Sequence, residues 1–127
     1  MTYDDFITAL CCWREARDQS DPAICGVIHV IRNRIKDPRW PNTAGDVVLQ
    51  PKQFSSFLAG DPNATRFPSP RQKADWAAWQ RILTLVESPG PDPTGGANHY
   101  ESCPDDDEPR WANAPVARLG AFEFYKL

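Results

Sequence analysis

Ile24, Val27, Ile28, Ile31 and Ile35 recur at steps of three and four residues between Pro22 and Pro38. That spacing is one face of an α-helix, and the two prolines fence it. Asp21 before Pro22 reads as a capping residue followed by proline at the first helical position. Pro38 disfavours helical geometry at Asp37, so the helix ends near Lys36.

A stripe this apolar needs cover, and two further helices can supply it. Tyr3, Phe6, Ile7, Leu10 and Cys11 repeat the pattern over about Thr2 to Arg17, opened by Thr2 with Asp5 three residues on. Trp76, Trp79, Ile82, Leu83 and Val86 repeat it up to about Glu87, with Ser69-Pro70 as the expected start. Between Pro38 and Pro70 the chain reads as irregular, apart from one short helical turn near Phe54 to Leu58. "SPGPDPTGG" is a breaker loop, and "ANHYES" and "GAFEFYKL" are short strands or irregular segments. Thirteen prolines fit few regular elements joined by stiff loops. The expected fold is mainly α, one domain over residues 1–127, with long loops and at most a few short strands.

The formal net charge of -3 gives no electrostatic footprint for nucleic acid. Arg32, Arg34, Lys36 and Arg39 cluster locally, which reads as a solvated helix face. No run of eighteen apolar residues could span a membrane. "MTYDDFITAL" lacks a basic start and apolar stretch, so no secretory signal is expected and synthesis is placed in the cytoplasm. Cys11, Cys12, Cys25 and Cys103 match neither a zinc spacing nor a CxxC pair. The first three read as small core residues, with Cys12–Cys25 or Cys11–Cys103 bridges left open for an oxidising space.

The residue that does not fit its surroundings is Glu15, between Arg14 and Arg17 in "CCWREARDQSDP". At helical spacing it continues the stripe through Ile7 and Cys11. Loss of hydration there raises a carboxyl pKa towards that of a general acid. Pairing with Arg14, Arg17 or Arg34 at a helix end is the other reading of the same spacing. Asp18, three residues on, is a candidate second acid, but it lies on the same side of any substrate. The run Asp105, Asp106, Asp107 and Glu108 reads as a solvated loop. His29 and His99 share no metal-ligand spacing, and no metal or other cofactor is expected. In "GGANHYES", Asn98, His99 and Tyr100 place polar and stacking groups together beside glycines that admit a ligand. "QPKQFSSF" offers a similar mix in Gln53, Phe54 and Ser55.

Taken in order, these segments resemble the SleB-type cell wall hydrolase family, which includes spore-cortex-lytic enzymes and phage endolysins. "WREARDQSDPAICGVIHVIRNRI" resembles its Glu-Ala-Arg signature and following helix. "WPNTAGDVVLQPKQFSSF" resembles its Gln-Pro-x-Gln-Phe-Ser block, and "GGANHYES" its Gly-Ala-Thr-His-aromatic block. "PRWA" and "LGAFEFYKL" resemble its closing segments. Asp18 stands where Gly is usual, Asn98 where Thr is common, and Phe122 where many members have His.

The resemblance implies a lysozyme-like fold with a long groove and cleavage of the MurNAc–GlcNAc β-1,4 bond of peptidoglycan. It puts the catalytic acid on Glu15, with Gln53, Phe54, Ser55, Asn98, His99, Tyr100 and Trp111 along the groove. It favours lytic transglycosylation, in which one carboxyl acts twice and leaves a 1,6-anhydro end, over hydrolysis by a muramidase. A wall-binding module without turnover and a metal-dependent amidase are the other classes. The expected partner is the glycan strand, with no nucleic acid, no membrane span and a monomeric state. A lone catalytic domain without an export signal implies a phage or prophage endolysin released through a holin.

Overall fold

The computed structural model describes residues 1–50, 54–102 and 114–127. Gln53, Cys103, the acidic run 105–108 and Trp111 lie outside the described residues, as does the side chain of Ser55.

Helix α1 runs Tyr3–Ala16 and opens on a capping box. The Thr2 hydroxyl accepts from the Asp5 amide at 3.0 Å, and the Asp5 carboxylate accepts from the Thr2 amide at 3.2 Å. Asp therefore closes the box that Glu more often closes. Helix α2 runs Asp21–Lys36, and its cap is Ser20 rather than the expected Asp21. Ser20 Oγ accepts from the Ala23 amide at 3.4 Å, which leaves Asp21 helical and free to pair with Arg81 at 3.4 Å. The helix ends at an extended Asp37 before Pro38, as the proline rule requires.

One feature departs from expectation between the prolines. Ala44–Val48 forms a short helix, α3, capped by Thr43, whose hydroxyl accepts from the Asp46 amide at 3.2 Å. A single 3-10 turn follows at Ser55–Phe57, close to where one was expected. Helix α4 runs Lys73–Glu87, so its start was placed too early. Ser69 turns its hydroxyl to the Arg71 amide, and its carbonyl accepts from Gln72, closing a turn ahead of the helix.

A three-stranded antiparallel sheet completes the fold, with β1 at His99–Ser102, β2 at Ala117–Leu119 and β3 at Phe122–Tyr125. Its order is β1-β3-β2, with His99 opposite Tyr125 and Leu119 opposite Phe122. Gly120, at φ 56°, makes the left-handed turn between β2 and β3.

Helix α2 is the spine. Ala23, Ile24, Val27, Ile28, Val30 and Ile31 have no exposed surface. They meet Leu10 and Trp13 of α1, Trp79, Ile82 and Val86 of α4, and Phe122 and Phe124 of β3, across two adjoining apolar clusters. Gly26 lets the sheet approach, because a Cβ there would sit 2.4 Å from Phe124 Cζ. Phe122 is part of the core. Ile7, Cys11, Ile31, Val47, Val48 and Phe54 form the second cluster, with Tyr100 packed on both. Cys11, Cys12 and Cys25 are buried free thiols, so Cys12 and Cys25 are not bridged.

The basic cluster is not a solvated face. Arg32 donates to the Val86 carbonyl at 2.6 Å, and buried Arg34 donates to the Asn98 carbonyl at 2.7 Å. Only Lys36 and Arg39 are exposed. Helical geometry carries Arg34 onto the same side as Val27 and Ile31.

Candidate active site

Glu15 occupies the last turn of α1 and is half-buried. Its Oε1 accepts two bonds from one residue of the 3-10 turn, the Ser56 amide at 3.4 Å and the Ser56 hydroxyl at 3.2 Å. Neither neighbouring arginine pairs with it. Arg14 turns its guanidinium between the Phe57 and Phe67 rings. Arg17 stacks on Trp13 at 4.5 Å and approaches Asp75 at 3.9 Å. The helix-end ion pair with these two arginines is absent, and the carboxyl keeps an open side.

Burial pushes the Glu15 pKa up, the two Ser56 donors oppose that, and the charge of Asp61 adds to the rise. The balance favours a carboxyl that holds its proton above the ordinary range. Glu15 faces a cavity of about 290 Å³ lined by Arg14, Arg17, Asp18 and Asn63. Asp18 is exposed at this cavity, its Oδ1 3.5 Å from Gln19 Nε2. Asp61 is turned into its own loop, accepting from the Asn63 amide at 2.8 Å.

Tyr100 and Phe54 pack together in the second apolar cluster, with ring centroids 6.3 Å apart. Burial first, and then nearby Cys11 and Glu15, push the Tyr100 phenol up, so it stays a neutral donor. Asn98 and His99 belong to a different place. Asn98 is buried and clasps Leu127 at both ends of its amide, each bond 2.9 Å. Its Oδ1 also accepts from His99 Nδ1 at 2.7 Å, since an amide oxygen cannot donate. Asn98 thus ties the chain end to β1 while also bordering a cavity. Together with Asn33, Lys36, Arg39 and Lys126, Asn98 lines a second cavity of about 390 Å³ that shares no residue with the first. His99 sets its ring edge-on to Trp40 at 5.8 Å, and burial with Arg34 and Arg39 lowers its pKa.

Spacing did not single out Ser56, Asp61 or Asn63. The adjacent serines of "QFSSF" gave the signal for one of them, but not which serine. His29 contacts the Gly90 carbonyl at 3.1 Å, well away from any catalytic grouping. Among the described residues no three of His, Cys, Asp and Glu are grouped as metal ligands. Burial pushes the Cys11, Cys12 and Cys25 thiols up, which leaves no thiolate nucleophile among them.

A half-buried acid, Glu15, thus faces a polar cavity between a helix end and a loop, with Asp18 exposed at the same cavity. A family model described as Cell Wall Hydrolase matches residues 18–125. The chain belongs to that family. The match covers most of this cell wall hydrolase but starts just after Glu15, so the importance of Glu15 rests on its geometry.

The crystal structure of the catalytic domain of the Bacillus cereus SleB protein has the same fold. It matches with a TM-score of 0.69 at 25% identity, over 97% of this chain and 89% of that one. The catalytic domain of the germination-specific lytic transglycosylase SleB from Bacillus anthracis matches with a TM-score of 0.70. Its identity is 24%, over 99% of this chain and 97% of that one. No curated protein matches the chain. This cell wall hydrolase is thus of the SleB type, mainly helical and lysozyme-like. None of its helices among the described residues is long and apolar enough to cross a membrane.

Proposed function

We propose that this cell wall hydrolase cleaves the MurNAc–GlcNAc β-1,4 bond of peptidoglycan as a lytic transglycosylase, with Glu15 as its acid and then its base. The protonated carboxyl gives its proton to the leaving glycosidic oxygen. The resulting carboxylate takes the proton of the muramoyl C6 hydroxyl as that oxygen attacks C1. The product is a 1,6-anhydro-muramoyl end, and no water is consumed. The similarity to the Bacillus anthracis lytic transglycosylase SleB supports the reaction class.

One observation carries the reading: Glu15 is a half-buried carboxyl with its pKa pushed up, bonded to Ser56 and open to a cavity. A two-carboxylate mechanism needs acids on either side of the scissile bond. Asp61 is engaged in its own turn, and Asp18 follows Glu15 by only three residues, just past the end of α1. Asp18 does reach the cavity, and that supports the alternative of a hydrolytic muramidase in which it handles water. Glu15→Gln on purified sacculi separates enzyme from binding module: the variant is expected to bind glycan and release no muropeptides. Full release by a folded Glu15→Gln would end the assignment.

Residues 1–127 act as one catalytic domain and as a monomer, which sedimentation-velocity or light-scattering mass checks. The endolysin reading has its own test. Expression in a host cell is expected to lyse it only when a holin is co-expressed, and lysis without one would contradict that route.

A further inference from the structure

Arg14 directly precedes the acid, yet its charge is spent elsewhere. The residue is 6% exposed and has no carboxylate partner among the described residues. Its guanidinium lies 4.6 Å from the centre of the Phe57 ring and 4.8 Å from that of Phe67. Nε donates to the Arg66 carbonyl at 3.1 Å, and Nη1 donates to the Ser56 carbonyl at 3.5 Å. Burying a cation against carbonyls and rings, with no counter-ion, has a cost that the core does not require. Phe67 is 61% exposed and belongs to neither apolar cluster.

The four partners have something else in common. Ser56 and Phe57 begin one loop, and Arg66 and Phe67 end it. The span between them carries Asn63 in the cavity wall and Asp61, the carboxylate whose charge acts on Glu15. A planar guanidinium can donate to two carbonyls in its plane while both faces stack on rings, which a lysine ammonium cannot do.

We propose that Arg14 is a positioning residue: it staples both ends of loop 56–67 to α1, holding the Ser56 donors on Glu15 and Asn63 in the cavity wall. The proposal rests on reading Glu15 as the acid. Arg14 borders the cavity as well, but the staple works through Ser56 and not through a substrate contact. It acts on catalysis through Ser56, so its removal changes the acidity of Glu15 as well as the rate.

The test follows the Glu15 carboxyl by ¹³C NMR titration in wild type, Ser56→Ala, Arg14→Lys, Phe67→Ala and Arg14→Lys/Ser56→Ala. Thermal unfolding and kcat/KM on sacculi across pH are measured on each. Arg14→Lys is expected to move the Glu15 titration to higher pH, as Ser56→Ala does, and to lower kcat/KM by about 10- to 100-fold through misplacement of the wall. The double variant is expected to titrate no higher than Arg14→Lys alone, because releasing the loop already removes both Ser56 donors while Ser56→Ala removes only the hydroxyl. A Glu15 titration unmoved by Arg14→Lys, or shifts that add in full, would overturn the proposal. Should Arg14→Lys fail to fold, Phe67→Ala decides, because that exposed ring can go without loss of core. It is expected to shift the titration in the same direction, and no shift contradicts the staple. Failure of the underlying reading looks different: Glu15→Gln would stay active while the titration shifts persist.

Discussion

Ser56 Oγ donates to Glu15 Oε1 at 3.2 Å, and the Ser56 amide donates to the same oxygen at 3.4 Å. A loop residue thus tempers an acid that burial has already weakened. Donors to a carboxylate favour the charged form and lower its pKa, while desolvation raises it. Ser56→Ala removes one donor, so Glu15 should hold its proton to higher pH. The alkaline limb of the pH–activity profile is expected to move up. A limb that stays put or moves down contradicts the assignment of that limb to Glu15.

The same shift bears on stability. Glu15 binds its proton more tightly folded than unfolded, because its folded pKa is raised. Its contribution is therefore most favourable below the unfolded carboxyl range and declines as pH rises through the folded value. Glu15→Gln removes that decline while keeping an oxygen that accepts from Ser56. The variant should be more stable than wild type at neutral pH by about 0.5–2 kcal/mol, as when a strained active-site group is relieved. The gap should close at low pH. Denaturant melts at two pH values check both signs.

Gly26 is where α2 meets the sheet, and its missing side chain leaves room for the Phe124 ring. Gly26→Ala gains helix propensity but drives a methyl group into that ring. The expected net loss is about 1–3 kcal/mol, the range for overpacking a tight core. Equilibrium unfolding reads it directly, and a stabilised variant would show that the ring moves freely.

Arg34 joins α2 to β1 through the Asn98 carbonyl, flanked by the Trp40 and Phe54 rings at 5.4 and 5.6 Å. Arg34→Met keeps much of the apolar stem and deletes the charged donor. It should cost about 1.5–3 kcal/mol, the worth of a hydrogen bond to a charged group. Because the loss falls at the root of the His99–Tyr100 strand, activity should fall further than stability alone explains.

Much of this architecture could be read from sequence because the stripes in α1, α2 and α4 run long enough to show a period. Five-residue α3 cannot show one, and only Thr43 with Asp46 marked it. Ser69-Pro70 looked like a helix start because the same pair also closes a turn. At the site, Glu15 stood out because it broke its own apolar stripe. Its partner Ser56 did not, because nothing in the spacing of two adjacent serines marks one of them as a donor to a helix 41 residues away. Asn98 has the composition of a ligand contact, and its bonds to Leu127 could not be read from sequence because the two residues are 29 positions apart. Arg34 could have been read better: Val27, Ile31 and Arg34 follow steps of four and three, which places the arginine inward.

The central claim is that one carboxyl, Glu15, cleaves the glycan without water. Mass spectrometry of sacculi digested by the purified protein tests it most directly, because an anhydro-muramoyl end is one water lighter than a reducing muramic acid. The account expects 1,6-anhydro-muramoyl products from wild type and Asp18→Asn, and none from Glu15→Gln. Reducing muramic acid ends from wild type, lost on Asp18→Asn, would contradict it and make Asp18 the second acid of a hydrolase.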